Sequence, residues 1–429
     1  MTTPRPAGAW HRTARAAGLL APDGSVAPTI FAEMSALAAS TGAINLGQGF
    51  PEDDGPEFVR EAAVSAIRAG VNQYPPGPGT PELLRAVAQH QERRYGLHVD
   101  PTSEVLVTAG ATEAITATLL ALCEPGDEVV TLEPFYDSHA AAIALAGAVH
   151  RTVPLRRAAV STSTDVREHS AGREHAEPPA RFALDVDALR AAVGPQTRII
   201  LVNTPHNPTG TVLTREELEE IAAVARRHDV IVVTDEVYEH LTFDGAEHVP
   251  VATLPGMADR TVTISSAGKT FSLTGWKIGW LHARADLVTA IRTVKQYLTY
   301  VNGAPFQPAV ALALTDPRGE EAVQALASSL ARRRDLLCDG LVTAGFDVVV
   351  PQGTYFVVAD GAPLGYDDGV DLARRLPELA GVVGVPVSAF CRAGSETAAL
   401  FRSSIRFTFV KTEASIERAT RQLAAMGGR

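Results

Sequence analysis

The span from residue 197 to residue 234 constrains the fold more than any other. Residues 197–203 read as an apolar strand, residues 214–228 as an amphipathic helix with acidic residues near its start, and residues 230–234 as a second apolar strand running into Asp235-Glu236-Val237-Tyr238. Two strands separated by a helix of this length cannot close as a hairpin, so they lie parallel in a βαβ unit. The same order occurs earlier, with a strand at 104–108, the small-residue turn Ala109-Gly110-Ala111, a helix at 112–122 and a strand at 127–131. The fold class is therefore α/β, built on a mostly parallel sheet.

Open sheets of this kind hold ligands beyond the carboxyl ends of their strands. Several candidate residues fall there. Asp235 and Tyr238 follow one strand, Asn203-Thr-Pro-His-Asn207-Pro-Thr-Gly210 follows another, and Phe135-Tyr136 follows a third. The Gly110 turn opens a helix, where free N–H groups and the helix dipole bind phosphate. After a further apolar strand comes Thr263-Ile-Ser-Ser-Ala-Gly-Lys269-Thr-Phe-Ser-Leu-Thr-Gly-Trp-Lys277-Ile-Gly279. It places one lysine available for covalent chemistry beside Ser265, Ser266 and Lys277, which suit phosphate oxygens. Taken singly, each has a plainer reading: a solvated lysine, a capped carboxylate, a turn, a core aromatic.

Together these segments resemble the class I/II aminotransferases of fold type I, which bind pyridoxal 5'-phosphate (PLP). The resemblance runs from about Ala27 to the C-terminus, and Asn45-Leu-Gly-Gln-Gly-Phe-Pro51 is closest to the kynurenine, glutamine, methionine and actinobacterial N-succinyldiaminopimelate aminotransferases. It implies a seven-stranded-type sheet and a homodimer with shared active sites. Lys269 would hold PLP as a Schiff base and shuttle the substrate α-proton, its amine made available by cationic neighbours and partial burial. Asp235 would pair with the pyridine nitrogen, and Asn207 and Tyr238 would bond the ring's phenolic oxygen, with Asn203 nearby. Phe135 would stack on the ring. Ala111, Thr112, Ser266 and Lys277 would bind the phosphate, joined by Tyr74 of Asn72-Gln-Tyr74-Pro-Pro-Gly-Pro-Gly79 from the partner subunit. Gly47 would offer its N–H to the substrate carboxylate, and Arg406 in Ser403-Ser-Ile-Arg406-Phe-Thr would grip that carboxylate bidentately.

A chain of 429 residues with 46% hydrophobic content can build two domains. Residues 51–302 are expected to form the large PLP-binding domain, and 25–50 with 303–429 a small α+β domain, with a long helix at 285–300 linking them. In the small domain, helices are expected at 319–344, 371–379 and 413–426, and strands at 347–350, 354–358 and 404–408. Residues 1–24 lack a signal-peptide core and read as a frayed arm. From Arg156 to Pro179 large apolar residues almost vanish, so about 157–179 should be a mobile surface insertion. A net charge of −11 argues against nucleic acid and anionic membranes as partners. Cys123, Cys338 and Cys391 lie far apart without metal-ligand spacing, as expected of a cytoplasmic protein with reduced thiols.

The expected activity is transfer of an amino group from an L-amino acid to a 2-oxo acid. Its rivals are cysteine-conjugate β-elimination on the same site, distinguished by release of pyruvate and ammonia, and a PLP-sensing regulator, which would need a DNA-binding segment the sequence does not contain. The substrate stays open, although Tyr300, Phe306 and Tyr355 could shape an aromatic or thioether pocket.

Overall fold

The computed structural model describes residues 8–21, 23–159 and 180–426. In chain order the strands are β1 (Ile44–Asn45), β2 (Val105–Thr108), β3 (Glu128–Glu133), β4 (Val149–Ala159), β5 (Ala180–Leu184), β6 (Thr197–Asn203), β7 (Ile231–Asp235), β8 (Thr261–Ser266), β9 (Gly279–His282), β10 (Asp347–Val349), β11 (Phe356–Asp360), β12 (Val382–Val383), β13 (Val385–Pro386) and β14 (Ser404–Thr408).

One sheet runs in the order β2-β9-β8-β7-β6-β3-β4-β5. The pairs β3–β4, β3–β6, β6–β7 and β7–β8 are parallel, whereas β9 is antiparallel to both β2 and β8. Alternation along β6 explains why the sheet is covered on both faces. Ile200 and Val202 pack with Leu218, Ile221 and Ala225 of the helix Arg215–His228, while Ile199 and Leu201 pack with Ile115 and Leu119 of the helix Gly110–Leu122. Thr214 starts the first of these helices with a capping box, its hydroxyl accepting from the Glu217 N–H while the Glu217 carboxylate accepts from the Thr214 N–H.

The sheet has eight strands where seven were expected. The extra edge strand is β5, paired antiparallel with the far half of β4 from Leu155↔Leu184 to Ala159↔Ala180. Residues 156–159 therefore belong to the sheet and not to a mobile insertion. Their polar side chains find partners there: Arg156 pairs with Asp185 at 2.6 Å and Glu396 at 3.0 Å, and Arg157 pairs with Asp347. The rest of the expected insertion, residues 160–179, lies outside the described residues.

The second sheet, β10-β11-β14-β13, is antiparallel throughout, and β1 pairs in parallel with β12. Its apolar face packs against the long helix Pro317–Thr343, the helix Gly369–Ala380 and the helix Glu413–Met426, with Leu337, Leu341, Leu372, Phe407 and Ile416 at the centre. Two other expectations give way. The helix expected at 285–300 stops at Lys295, whose ammonium donates to the Tyr300 carbonyl at 2.7 Å and closes the chain into a turn. The expected frayed arm contains a helix, Ala9–Ala16, tied down where Arg12 Nε donates to the Ala144 carbonyl at 2.6 Å and so satisfies a helix C-terminus.

Candidate active site

The carboxyl ends of β2, β6, β7 and β8 converge on a cleft of about 350 Å³. Its wall contains Gly110, Ala111 and Thr112 after β2, Asn203 and Asn207 at and after β6, Asp235 and Tyr238 at and after β7, Ser266, Lys269 and Lys277 at and after β8, and Arg406 from β14. Residues singled out in the sequence thus share one surface, although they are scattered along the chain from Ala111 to Arg406.

Asp235 ends β7 and is buried. Its Oδ2 accepts from His139 Nε2 at 3.2 Å, while Oδ1 is buried with no partner. A buried carboxylate oxygen without a partner is costly, and a protonated ring nitrogen is a group that would satisfy it. Asn203 braces this residue from the neighbouring strand. Its Nδ2 donates to the Asp235 carbonyl at 2.8 Å and its Oδ1 accepts from the Asn207 N–H at 2.8 Å, so it acts as a strut. Tyr238 lies edge-on to Tyr355 at 5.2 Å. Burial, then the neighbouring Tyr355, pushes its hydroxyl well above the usual range, so it stays a proton donor.

Lys269 sits in the short helix Ala267–Thr270 directly after β8, with Nζ 5.6 Å from the Tyr355 ring and 6.0 Å from the Tyr238 ring. It makes no hydrogen bond or ion pair among the described residues, which leaves the amine free for a ligand. Opposite it, the helix Gly110–Leu122 starts without a side-chain cap, with Gly110 at φ +76°. The Lys277 ammonium lies over Gly110, where a Cβ would be 3.2 Å from Nζ. Gly279 is held to glycine by the same close approach, since its Cβ would stand 2.7 Å from the Gly110 carbonyl carbon. Uncapped helical N–H groups, Lys277 and Ser266 in the same wall are groups that could hold a phosphate.

Arg406 is 2% exposed, sandwiched between the Phe356 ring at 4.0 Å and the Phe390 ring at 4.6 Å. Nη1 donates to Asn207 Oδ1 at 3.0 Å, Nη2 donates to the Gly47 carbonyl at 2.7 Å, and Nε has no partner. Burial lowers its pKa to about 10, still high enough to keep the guanidinium charged at neutral pH.

Two residues expected in this subunit's own site do not line the cleft, and a third, Tyr74, was expected to serve the partner subunit. Gly47 gives its N–H to Asn45 Oδ1 at 3.0 Å and its carbonyl to Arg406, so it orients the arginine and has no free donor for substrate. Phe135 turns away: its N–H donates to the Phe390 carbonyl and its ring packs on His150 at 4.8 Å, and in this extended backbone it is Tyr136 that faces the cleft. Tyr74 is 80% exposed and touches Tyr300 edge-on at 5.5 Å. Of the expected pocket aromatics, Tyr300 and Phe306 are absent from the wall, Phe306 stacking on Trp276 at 4.7 Å, while Tyr355 hydrogen-bonds the Gly49 carbonyl and its neighbour Phe356 lines the cleft.

The sequence reading missed His139, Asp137 and Gln48. His139 and Asp137 begin the helix Asp137–Ala146, and only the fold brings that helix end against Asp235. Burial raises the Asp137 carboxyl above its ordinary value. The motif Gly-Gln-Gly flagged the loop, but gave no sign that Gln48 would anchor it on the Phe31 carbonyl and the Ser35 hydroxyl.

The family model for aminotransferase class I and II matches residues 41–423. The chain belongs to this family. A probable N-succinyldiaminopimelate aminotransferase from Mycobacterium tuberculosis is 52% identical over 409 residues, covering 94% of this chain and 97% of that protein. A kynurenine–oxoglutarate transaminase from Dictyostelium discoideum is 37% identical over 417 residues, 92% of this chain and 93% of its own. The solved structure of the N-succinyldiaminopimelate aminotransferase from Mycobacterium tuberculosis superposes with a TM-score of 0.84 at 51% identity, covering 93% of this chain and 97% of that one. This aminotransferase is a fold type I, PLP-dependent enzyme that moves an amino group between an amino acid and a 2-oxo acid. Among the described residues, no helix is long and apolar enough to cross a membrane.

Proposed function

We propose that Lys269, Asp235 and Arg406 divide the transamination between them. One observation carries this: a lysine with a free amine, a carboxylate with an unpartnered buried oxygen and an arginine with an unpartnered Nε all belong to the wall of one cleft. PLP, when bound, supplies an electron sink that lets a Cα–H bond of the amino acid break. Asp235 would hold a proton on the ring nitrogen, while Ala111, Thr112, Ser266 and Lys277 hold the phosphate. Tyr238 and the Asn207 amide would donate to the ring oxygen. Lys269 Nζ would hold the cofactor and, once released by substrate, carry the α-proton between the substrate and the cofactor.

Arg406 would receive the α-carboxylate common to both half-reactions. A charged hydrogen bond contributes roughly 1.5–3 kcal/mol, so Arg406→Ala should lower kcat/KM on the order of 10- to 100-fold for amino donor and 2-oxo acid alike. Arg406→Lys keeps the charge without the fork and should recover part of the loss. Half-reaction kinetics check this: a defect confined to one substrate would assign Arg406 to a side chain instead.

The substrate class we infer is an amino acid with a distal carboxylate, of the N-succinyldiaminopimelate kind. The 52% identity to a relative of that name supports it over the 37% to a kynurenine transaminase. A second hollow of about 600 Å³ shares Phe31 and Asp137 with the cleft wall and carries Arg15 and Arg392. In an amino-donor screen the long diacid should lead. Arg392→Ala should raise its KM by about 5-fold, the upper end for a solvent-exposed charge pair, and leave short substrates unchanged. A screen led by kynurenine, methionine or glutamine would reject this class. Pyruvate and ammonia from a cysteine conjugate would instead favour β-elimination.

The enzyme is further proposed to be a cytoplasmic homodimer of two-domain subunits, with residues 51–302 forming the large domain and 25–50 plus 303–429 the small one. The separate eight- and four-stranded sheets, with β1 pairing to β12, support that division. Tyr74, Tyr297 and Tyr300 stand exposed together, as aromatic surface does where a partner covers it. Tyr74 would then meet the phosphate of the other subunit. Light scattering should give twice the 45.3 kDa chain mass, and Tyr74→Ala should release PLP more readily from an intact dimer. A monomer in solution would refute the shared site, and activity confined to a membrane fraction would refute the location.

A further inference from the structure

A second polar cluster, whose residues are absent from the cleft wall, includes two that follow directly in the chain on the segment that carries Asp235 and Tyr238. His90 projects from the helix Pro81–Tyr95, and Glu239 and His240 follow β7. All three are buried, at 4%, 3% and 7% exposure. His90 Nε2 lies 3.6 Å and His240 Nε2 3.9 Å from the same oxygen, Glu239 Oε2, and one ligand atom from each residue falls within 4.8 Å of the others. These separations exceed hydrogen-bond length. The 3.6 and 3.9 Å distances to Glu239 are slightly wider than the roughly 3.3 Å between neighbouring ligands of a tetrahedral zinc ion with bonds near 2.0–2.1 Å.

We propose that His90, Glu239 and His240 form a binding site for a divalent transition-metal ion of the zinc class.

Three observations support the site. His90 Nε2 is buried and has no hydrogen-bond partner, an arrangement that a metal ion would satisfy. Glu239 is already oriented, with Oε2 accepting from the Tyr95 hydroxyl at 2.7 Å and Oε1 from the Ser265 hydroxyl at 2.5 Å, the kind of outer support that fixes a metal-ligating carboxylate. His90 and His240, though not Glu239, line a cavity of about 260 Å³ whose wall also holds Thr270, Asp316 and Glu320, which would give a fourth ligand room. Two imidazoles and one carboxylate with an open position favour zinc, cobalt or nickel over magnesium or calcium, which prefer oxygen alone. A bound ion would join the helix Pro81–Tyr95 to the segment bearing Asp235 and Tyr238, and would stabilise the folded chain without touching the reacting atoms.

The test uses borohydride-reduced holoenzyme, so that the cofactor offers no competing imine, freed of metal by chelator and then titrated with Zn²⁺ or Co²⁺. One ion per chain should bind, with visible Co²⁺ absorption and a Tm rise of several degrees. His90→Gln and His240→Gln should each weaken binding on the order of 100-fold, while His98→Gln, at an exposed histidine, should not. Absence of saturable uptake by the wild type, or unchanged affinity in both cluster variants, overturns the site. Should either variant fail to fold, X-ray absorption of the zinc-loaded wild type decides: two imidazole ligands are expected, and a shell of oxygens alone overturns the proposal.

Discussion

Replacing Lys269 with alanine is expected to abolish borohydride-trapped cofactor and to lower turnover on the order of 10⁴-fold or more, because the amine combines a covalent anchor with the proton carrier. The surroundings explain why no other group would substitute. Lys277, the other lysine of the cleft wall, has its ammonium over Gly110 at the phosphate end, fixed by a left-handed backbone at φ 55°. The Tyr238 and Tyr355 rings lie 6.0 and 5.6 Å from Lys269 Nζ, and neither offers a second amine. PLP should still bind through phosphate and ring contacts, since Ser266, the Gly110 turn and Asp235 are untouched. The measurement is mass spectrometry of the reduced protein together with single-turnover kinetics. Full activity with trapped cofactor at another lysine would remove Lys269 from the mechanism.

Asp235→Asn is expected to retain PLP while slowing the chemical step by about 10²- to 10⁴-fold. The substitution keeps the size of the side chain and a polar contact for His139, but it removes the negative charge whose unpartnered Oδ1 borders the cleft. Charge on the carboxylate matters most when electrons from the broken Cα–H bond move into the ring, so the transition state should lose more than the bound ground state. Cofactor content by absorbance and the single-turnover rate separate the two effects. Retained cofactor with an unchanged rate would make Asp235 structural.

Much of the fold was legible because its signals are local. β6 and β14 match the expected strands at 197–203 and 404–408, and the helix Glu413–Met426 matches the one expected at 413–426. Capping and periodicity act over a few residues, and short-range physics is written in short-range sequence. The misses occur where a distant partner overrides local character. Arg156 to Ala159 look like an insertion until Asp185, Glu396 and Asp347 supply their ion pairs. Residues 296–300 look helical until the Lys295 ammonium takes the Tyr300 carbonyl and leaves Tyr300 in the left-handed region at φ 66°.

The site divides the same way. Sequence alone singled out the lysine, the carboxylate and the arginine that the fold then brings to one cleft, because their motifs sit at strand ends and resemble a known family. It could not determine which of two adjacent aromatics lines the cleft, and Phe135 yields that place to Tyr136, its backbone N–H being bound to the Phe390 carbonyl on another part of the chain. Nor could it show that Gly47 serves Arg406 through its carbonyl, since the two are joined only when β14 packs against the loop after β1. Asp235 needed His139, and His90 needed Glu239, from elements far apart in the chain. Residue type and local order decided what the protein can do; the packing of the two sheets decided which atoms meet, because hydrogen bonds and ion pairs depend on ångström-scale distances that linear spacing does not encode.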